Sequence, residues 1–406
     1  MKRLIYFLIV CIIISIIILI LVISKKANIN TVDNNLYMEN LENYSIEEVK
    51  DYCRKNNLEL NIINEYSDTI KKDKVISQSI LPGNKIVSND KIDIVISLGI
   101  DYEKYSVNEL GGIPVMMYHQ IKNMKNIDTK YPGGNVDIDG YTRTSEAFRN
   151  DLEFYYKKGY RMIRLNDYVN GKIDVELGYS PIILTFDDGL NEVSASLDEN
   201  GNLIIDPNSA LGILEEYKMK YPDYNVTATF FLNNTLFYNS ELNEKIMKYL
   251  IDKGYDIGNH TYTHPNINNI TKDKTIEETG KMYQKLDEII PGKYVNIVAL
   301  PYGNPNKSSE NFSHILKGEY NGKTYNTIST LRVAWSYDYS PFNKDFDKTY
   351  IKRIRAYDNN GKDFDIEYNF NLLEKDRYIS DGDIDTVVIK EKDKTKINTS
   401  LNLVIY

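Results

Sequence analysis

Ser180-Pro-Ile-Ile-Leu-Thr-Phe-Asp-Asp-Gly189 is the stretch from which the rest of the chain can be read. Its first half is a turn followed by a short apolar run of the kind that forms a buried strand, so Asp187 and Asp188 emerge at the strand's C-terminal end. In α/β folds that end of the sheet gathers the active-site groups. Further along, His260-Thr-Tyr-Thr-His264 follows the apolar segment Gly254-Tyr-Asp-Ile-Gly258. At i, i+4 spacing the two imidazoles can point the same way from a helical turn or a tight loop. Asp-Asp-Gly alone is ordinary turn chemistry, and a histidine pair alone can be a helix cap and a surface residue. The chain has only four histidines in 406 residues, however, and two of them fall within five positions. Two imidazoles and a carboxylate leave one position open on a tetrahedral ion, which is the arrangement of catalytic zinc.

Around this stretch the pattern alternates. Residues 146–159, 209–220, 241–254 and 275–290 have helical periodicity, and each is followed by a short β-rich run. Such alternation predicts a parallel sheet or barrel of the α/β class.

The segment Thr185-Phe-Asp-Asp-Gly189, the His260/His264 pair, Thr227-Ala-Thr-Phe-Phe-Leu232 and Leu300-Pro-Tyr-Gly303 stand in the order and rough spacing of the polysaccharide deacetylases, the NodB-homology carbohydrate esterases. The resemblance covers about residues 113–340. It implies a distorted (β/α) barrel that removes acetyl groups from N-acetylated sugars with a divalent metal. On the matching positions it implies that Asp187 is the general base and that Asp188, His260 and His264 are metal ligands. Tyr302 resembles the residue whose backbone N–H helps hold the oxyanion, and Pro301 beside it belongs to the substrate-binding loop. Zinc is the expected ion, although carboxylate and imidazole suit cobalt, nickel or manganese as well.

Elementary chemistry agrees with these roles. Amide hydrolysis needs an activated water, a polarised carbonyl and a proton for the leaving amine. Adjacent carboxylates in different environments can divide such work, one held ionised on the metal and the other free to take a proton.

Two departures from the commonest family pattern stand out. No arginine precedes Pro-Tyr-Gly, where Val298-Ala-Leu300 lies instead, and no histidine lies beyond His314. The early segment Ile113-Pro-Val-Met-Met-Tyr-His-Gln-Ile121 resembles the rearranged branch that contains the biofilm poly-N-acetylglucosamine deacetylases. In that branch an early histidine replaces the late one, so His119 is expected to be the general acid and the base-orienting arginine is expected to be missing. Trp335, the only tryptophan, lies near the place where the family has a loop lining the groove; it is expected either to stack on a sugar face or to sit in the core. The 34 tyrosines accompany high Ile, Asn and Lys, and do not by themselves mark a sugar cleft.

Residues 4–23 carry no charge and are flanked by Lys2-Arg3 and Lys25-Lys26, the length and dressing of an uncleaved membrane anchor. Residues 1–26 are therefore expected to be a cytoplasmic tip and transmembrane helix, and 27–40 a linker. Residues 41–99 show a capping-box helix start at Ser45/Glu48 and three alternating strands. With Val75-Ile-Ser-Gln-Ser-Ile-Leu-Pro-Gly83 this unit resembles a PASTA domain, which implies a peptidoglycan partner. A second linker, 100–112, and the catalytic domain, 113–406, complete the chain, the tail after residue 359 being expected to add an edge hairpin. Cys11 and Cys53, one in the anchor and one in the small helix, cannot pair with each other. Net charge is −9, so nucleic acid is an unfavourable partner. The expectation is a membrane-anchored extracellular deacetylase of an N-acetylglucosamine polymer, peptidoglycan first. A biofilm or capsule poly-N-acetylglucosamine is the alternative substrate, and a non-catalytic wall-binding pseudoenzyme the alternative class.

Overall fold

The computed structural model describes Val10 and residues 12–20, 36–190, 192–239 and 241–406. Residues 12–20 are helical. No helix among the described residues is long and apolar enough to cross a membrane; the ends of the expected anchor, Cys11 and most of the first linker lie outside them.

Chain contacts divide the protein into Met1–Asp101 and Tyr102–Tyr406. In the first unit a helix, Ile46–Lys55, starts at a complete capping box in which Ser45 accepts from the Glu48 N–H while the Glu48 carboxylate accepts from Ser45. Its apolar stripe of Val49, Tyr52 and Cys53 is buried. Three strands form the larger sheet of this unit, with Lys91–Ser97 in the centre, Glu59–Glu65 parallel on one side and Val75–Gln78 antiparallel on the other. Ile92, Ile94 and Ile96 alternate inward from the central strand to meet the helix residues in one core. Cys53 is a buried free thiol there.

The second unit is built on one sheet of eight strands. These are β1 (Val115–Tyr118), β2 (Tyr160–Met162), β3 (Ser180–Asp188), β4 (Thr229–Leu232), β5 (Asp256–Asn259), β6 (Ile297–Ala299), β7 (Ser329–Leu331) and β8 (Ile354–Arg355). Their order is β7-β6-β5-β4-β3-β1-β8, with β2 beside the first residues of β3, and every pairing is parallel. Eight of the nine residues of β3 are buried, as a strand covered on both faces must be. Helices α1 (Ser145–Lys157), α2 (Ala210–Lys220), α3 (Asn243–Asp252) and α4 (Lys272–Ile289) fall on the four stretches with helical periodicity. Three of them open with a hydroxyl N-cap, from Thr144, Ser209 and Thr271. The sheet curls without closing: its edges meet only through isolated bridges, Leu331 to Ile351 and Ala334 and Trp335 to Ile354. It is a half-barrel, more open than the distorted barrel expected.

Two expectations about the flanks are corrected. The stretch 100–112 does not behave as a linker from Tyr102 onward. Val107 is fully buried, Leu110 nearly so, and Asn108 bridges to Ile379. The C-terminal tail likewise forms no edge hairpin. Thr386–Ile389 and Asn402–Ile405 pair in parallel as a separate two-stranded sheet, which a tight turn cannot make because parallel strands need a crossover.

The early segment and the tail are joined at Glu109. Its carboxyl accepts from the Val388 N–H at 2.7 Å, the Tyr378 hydroxyl at 2.8 Å and the Asp381 N–H at 3.3 Å. Burial, with Asp381 nearby, pushes it up to about 8. A carboxyl whose pKa is raised by folding contributes its stability below the unfolded value and loses it as pH rises toward the folded one. Melting temperature should therefore fall between pH 5 and pH 9. In Glu109→Gln, which cannot ionise but turns an amide N–H toward one of these donors, it should be lower than wild type at pH 5, with the gap closing by about 5 °C at pH 9. Parallel melting curves for the two proteins would refute this linkage.

Candidate active site

Strand register assembles the site. Phe186 on β3 lies opposite Tyr118 on β1, so the next residues, Asp187 and His119, leave the sheet side by side. On the other flank Leu232 ends β4 opposite Asn259 on β5, and the His260 N–H continues the ladder to the Leu232 carbonyl at 2.9 Å. Beyond β6 the chain turns through Pro301–Gly303 toward the same end. The groups that the sequence scatters over almost two hundred positions thus meet at the carboxyl edge of five neighbouring strands.

Asp188 stands between the two histidines, its Oδ1 3.2 Å from His260 Nε2 and 3.3 Å from His264 Nε2. One ligand atom from each of the three residues lies within 4.8 Å of the others. The remaining ring nitrogen of His260, Nδ1, is 2.8 Å from the Ala299 carbonyl, which fixes the tautomer that leaves Nε2 unprotonated for a cation. Burial would push the Asp188 carboxyl up, but the three histidines, His260 foremost, hold it well below the usual carboxylate range. The donor set fits a divalent ion with three protein ligands and open positions.

Three residues of the site have strained backbone. Asp188, His264 and Tyr302 adopt φ of 80°, 56° and 57°, a region that non-glycine residues rarely enter and that clusters at functional sites. Gly189, at φ 63°, completes the turn: a Cβ there would lie 2.1 Å from the Leu236 carbonyl oxygen.

Asp187 is 2 % exposed and faces a fully buried arginine. Arg353 Nη1 and Nη2 each donate to one of its carboxylate oxygens at 2.7 Å, and Nη1 also reaches Thr185 Oγ1 at 3.1 Å. Burial acts to raise the carboxyl's pKa, yet the guanidinium, with His260, holds it below the usual range. The arginine expected to be missing is therefore present, supplied by the residue just before β8. The only signal for it was physical: a buried aspartate at a strand end needs a cation. Sequence alone could not choose Arg353 from Arg332, Arg355 and Arg377.

His119 and Tyr302 both line a cleft of about 260 Å³ with Asp187, Asp188, His260 and His264. Burial keeps the His119 imidazole below its ordinary pKa, and its ring meets Tyr141 edge-on at 4.7 Å. Tyr302 is 63 % exposed, its ring 4.9 Å from that of His264. Pro301, expected to bind substrate, is a buried residue. It is buried inside its turn, because a ring at that position packs inward while Leu300 and Tyr302 face the cleft. Trp335 is not in the core. It is 46 % exposed, on the rim against Arg355. Tyr141 was not anticipated as a lining residue.

Residues 174–317 match the profile of the polysaccharide deacetylase family, and residues 37–98 that of the PASTA domain. A peptidoglycan-N-acetylglucosamine deacetylase of Bacillus cereus is 33% identical over 112 residues, 28% of this chain and 36% of that protein. The match thus spans about a third of the curated relative's length. Among solved structures, the Streptococcus pyogenes deacetylase PplD aligns over 61% of this chain and 93% of its own with 18% identity and a TM-score of 0.41. The extracellular region of the Ser/Thr kinase PrkC of Staphylococcus aureus aligns over 16% of this chain and 23% of its own, with 30% identity and a TM-score of 0.16.

Proposed function

From a chain that carries a polysaccharide deacetylase domain behind a PASTA domain, we propose a metal-dependent N-deacetylase acting on N-acetylglucosamine residues of peptidoglycan. One observation carries the reading: the Asp188, His260 and His264 donor set opens into the same cleft as the Asp187–Arg353 pair and His119. A protein that only binds glycan has no need of a buried, ionised carboxylate beside three converging metal donors.

Asp188, His260 and His264 would hold the ion, with zinc the first choice. When bound, it would polarise the acetamide carbonyl and acidify a water. Asp187, kept ionised by Arg353, takes the proton of the attacking water. Because both oxygens of Asp187 are engaged by the guanidinium, the carboxylate cannot rotate away from the cleft. The exposed turn at Tyr302 supports a role for its backbone N–H toward the developing oxyanion. His119, in the cleft through its place after β1, delivers a proton to the departing amine nitrogen. The hydroxyl then stays on the acetyl carbon, which leaves as acetate, and the sugar keeps a free amine that has gained the proton.

The PASTA domain supports peptidoglycan as the polymer, and the uncharged stretch 4–23 supports a membrane anchor with the catalytic domain outside the cell. Acetate release from purified peptidoglycan, measured on the full chain before and after chelation and after reloading with zinc, tests the proposal. Activity lost with the metal and recovered on reloading is expected. Silence of the reloaded protein on peptidoglycan together with turnover of poly-N-acetylglucosamine would move the substrate to a secreted polymer; silence on both would leave a wall-binding module.

A further inference from the structure

Arg355 occupies an unusual position on the rim of the cleft. It ends β8, two residues after Arg353. Arg353 turns inward to the Asp187 carboxylate, whereas Arg355 has no carboxylate within ion-pair distance among the described residues. Its guanidinium is instead enclosed by rings, 4.0 Å from the centroid of Tyr357, 5.0 Å from Trp335 and 5.4 Å from Tyr141, and its Nε is buried without a hydrogen-bond partner. Arg143, Arg161 and Arg164 of this unit pair with Asp151, Asp223 and Asp256, whereas Arg332, like Arg355, lies over a tyrosine ring with its Nε buried and unpartnered.

Aromatic faces hold a cation in place without neutralising it. They also leave the edge of the guanidinium open to a planar anion, apart from the buried Nε and the bond to Tyr357. The location is informative because Tyr141 is shared: it lines the cleft, touches His119 on one side and Arg355 on the other. Trp335 and Tyr141 are 46 % and 38 % exposed, rings of the kind on which sugar faces stack. An un-neutralised cation at that point has a use for a substrate that carries negative charge. The chain is acidic overall and the cleft itself holds Asp187 and Asp188, so an anionic glycan would otherwise be repelled.

We propose that Arg355, clamped by Tyr141, Trp335 and Tyr357, recognises a carboxylate on the sugar next to the one that loses its acetyl group. The substrate is then a peptidoglycan glycan strand whose lactyl carboxylates are free of stem peptide, in preference to a neutral homopolymer. This inference rests on the deacetylase reading above and deepens it.

The test compares two oligomers of equal length, one of N-acetylglucosamine alone and one alternating with N-acetylmuramic acid whose lactyl carboxylates are free, on the full metal-loaded chain. Wild type should favour the acidic oligomer in kcat/KM. In Arg355→Met that preference should fall about tenfold or more, the worth of a lost charge-assisted bond. Arg355→Lys should recover part of it. A preference unchanged in Arg355→Met, or both substrates declining together with no recovery in Arg355→Lys, would overturn the proposal and leave Arg355 as a brace for the rings. Binding is read separately through the fluorescence of Trp335, the only tryptophan. If wild type turns over neither oligomer, the deacetylase reading fails on its own, and tighter binding of the acidic oligomer that is lost in Arg355→Met still decides for Arg355. Equal binding of both oligomers to wild type decides against it.

Discussion

Arg353→Met is expected to destabilise the protein by about 3–5 kcal/mol, because it leaves the buried Asp187 carboxylate without its counter-charge. The loss should appear as a lower denaturation midpoint at pH 7. It should shrink in the Arg353→Met/Asp187→Asn double variant, where no isolated charge remains. Breaking the pair from the other side is milder for folding, since asparagine still offers one oxygen to the guanidinium, but it removes the base. Asp187→Asn should bind metal and release acetate slower by about 10²–10⁴-fold. The pH dependence has a definite sign. Arg353 holds the Asp187 carboxyl below its ordinary range, so its contribution to stability is present above the unfolded value of about 4 and is lost as pH falls through the folded one. In whatever fraction of Arg353→Met folds, the acid limb of the rate profile should move to higher pH. An unchanged limb would mean that the carboxylate seen by the reaction is not Asp187.

His119→Ala should produce the second large effect, a fall in kcat of about 10²–10⁴-fold with metal stoichiometry retained. The separation is possible because His119 comes from β1 while the three metal donors come from the ends of β3 and β5, and no hydrogen bond ties His119 to them among the described residues. Loss of bound metal in this variant would show that the imidazole is a ligand, and a rate near wild type would show that the leaving amine takes its proton elsewhere. Tyr141→Phe is a useful companion, since it keeps the ring against His119.

The two variants probe groups that differed in how far the sequence disclosed them. Asp187, Asp188, His260 and His264 were legible because local chemistry marks them: a buried strand ending in two carboxylates and a glycine, and two imidazoles four residues apart. The four helices were legible for the same reason, as apolar periodicity is a property of neighbouring residues. The capping box at Ser45 and Glu48 is likewise local.

What escaped was non-local. Arg353 lies 166 positions from Asp187, and no periodicity distinguishes it from the other arginines of the C-terminal third. It is selected only because β8 pairs with β1 at the edge of the sheet and points that side chain at the end of β3. Pro301 and Tyr302 are adjacent in sequence, yet one is buried and the other faces the cleft, a choice made by a positive φ at Tyr302. The tail was misread for a related reason: alternating residues announce strands, but whether two strands pair as a hairpin or in parallel depends on the path between them. Strand identity and ligand type are thus written in short-range pattern, where single residues and their neighbours decide. The partner of a buried charge, the edge of the half-barrel and the side of the cleft on which Trp335 stands depend on which distant segments the folded sheet brings together.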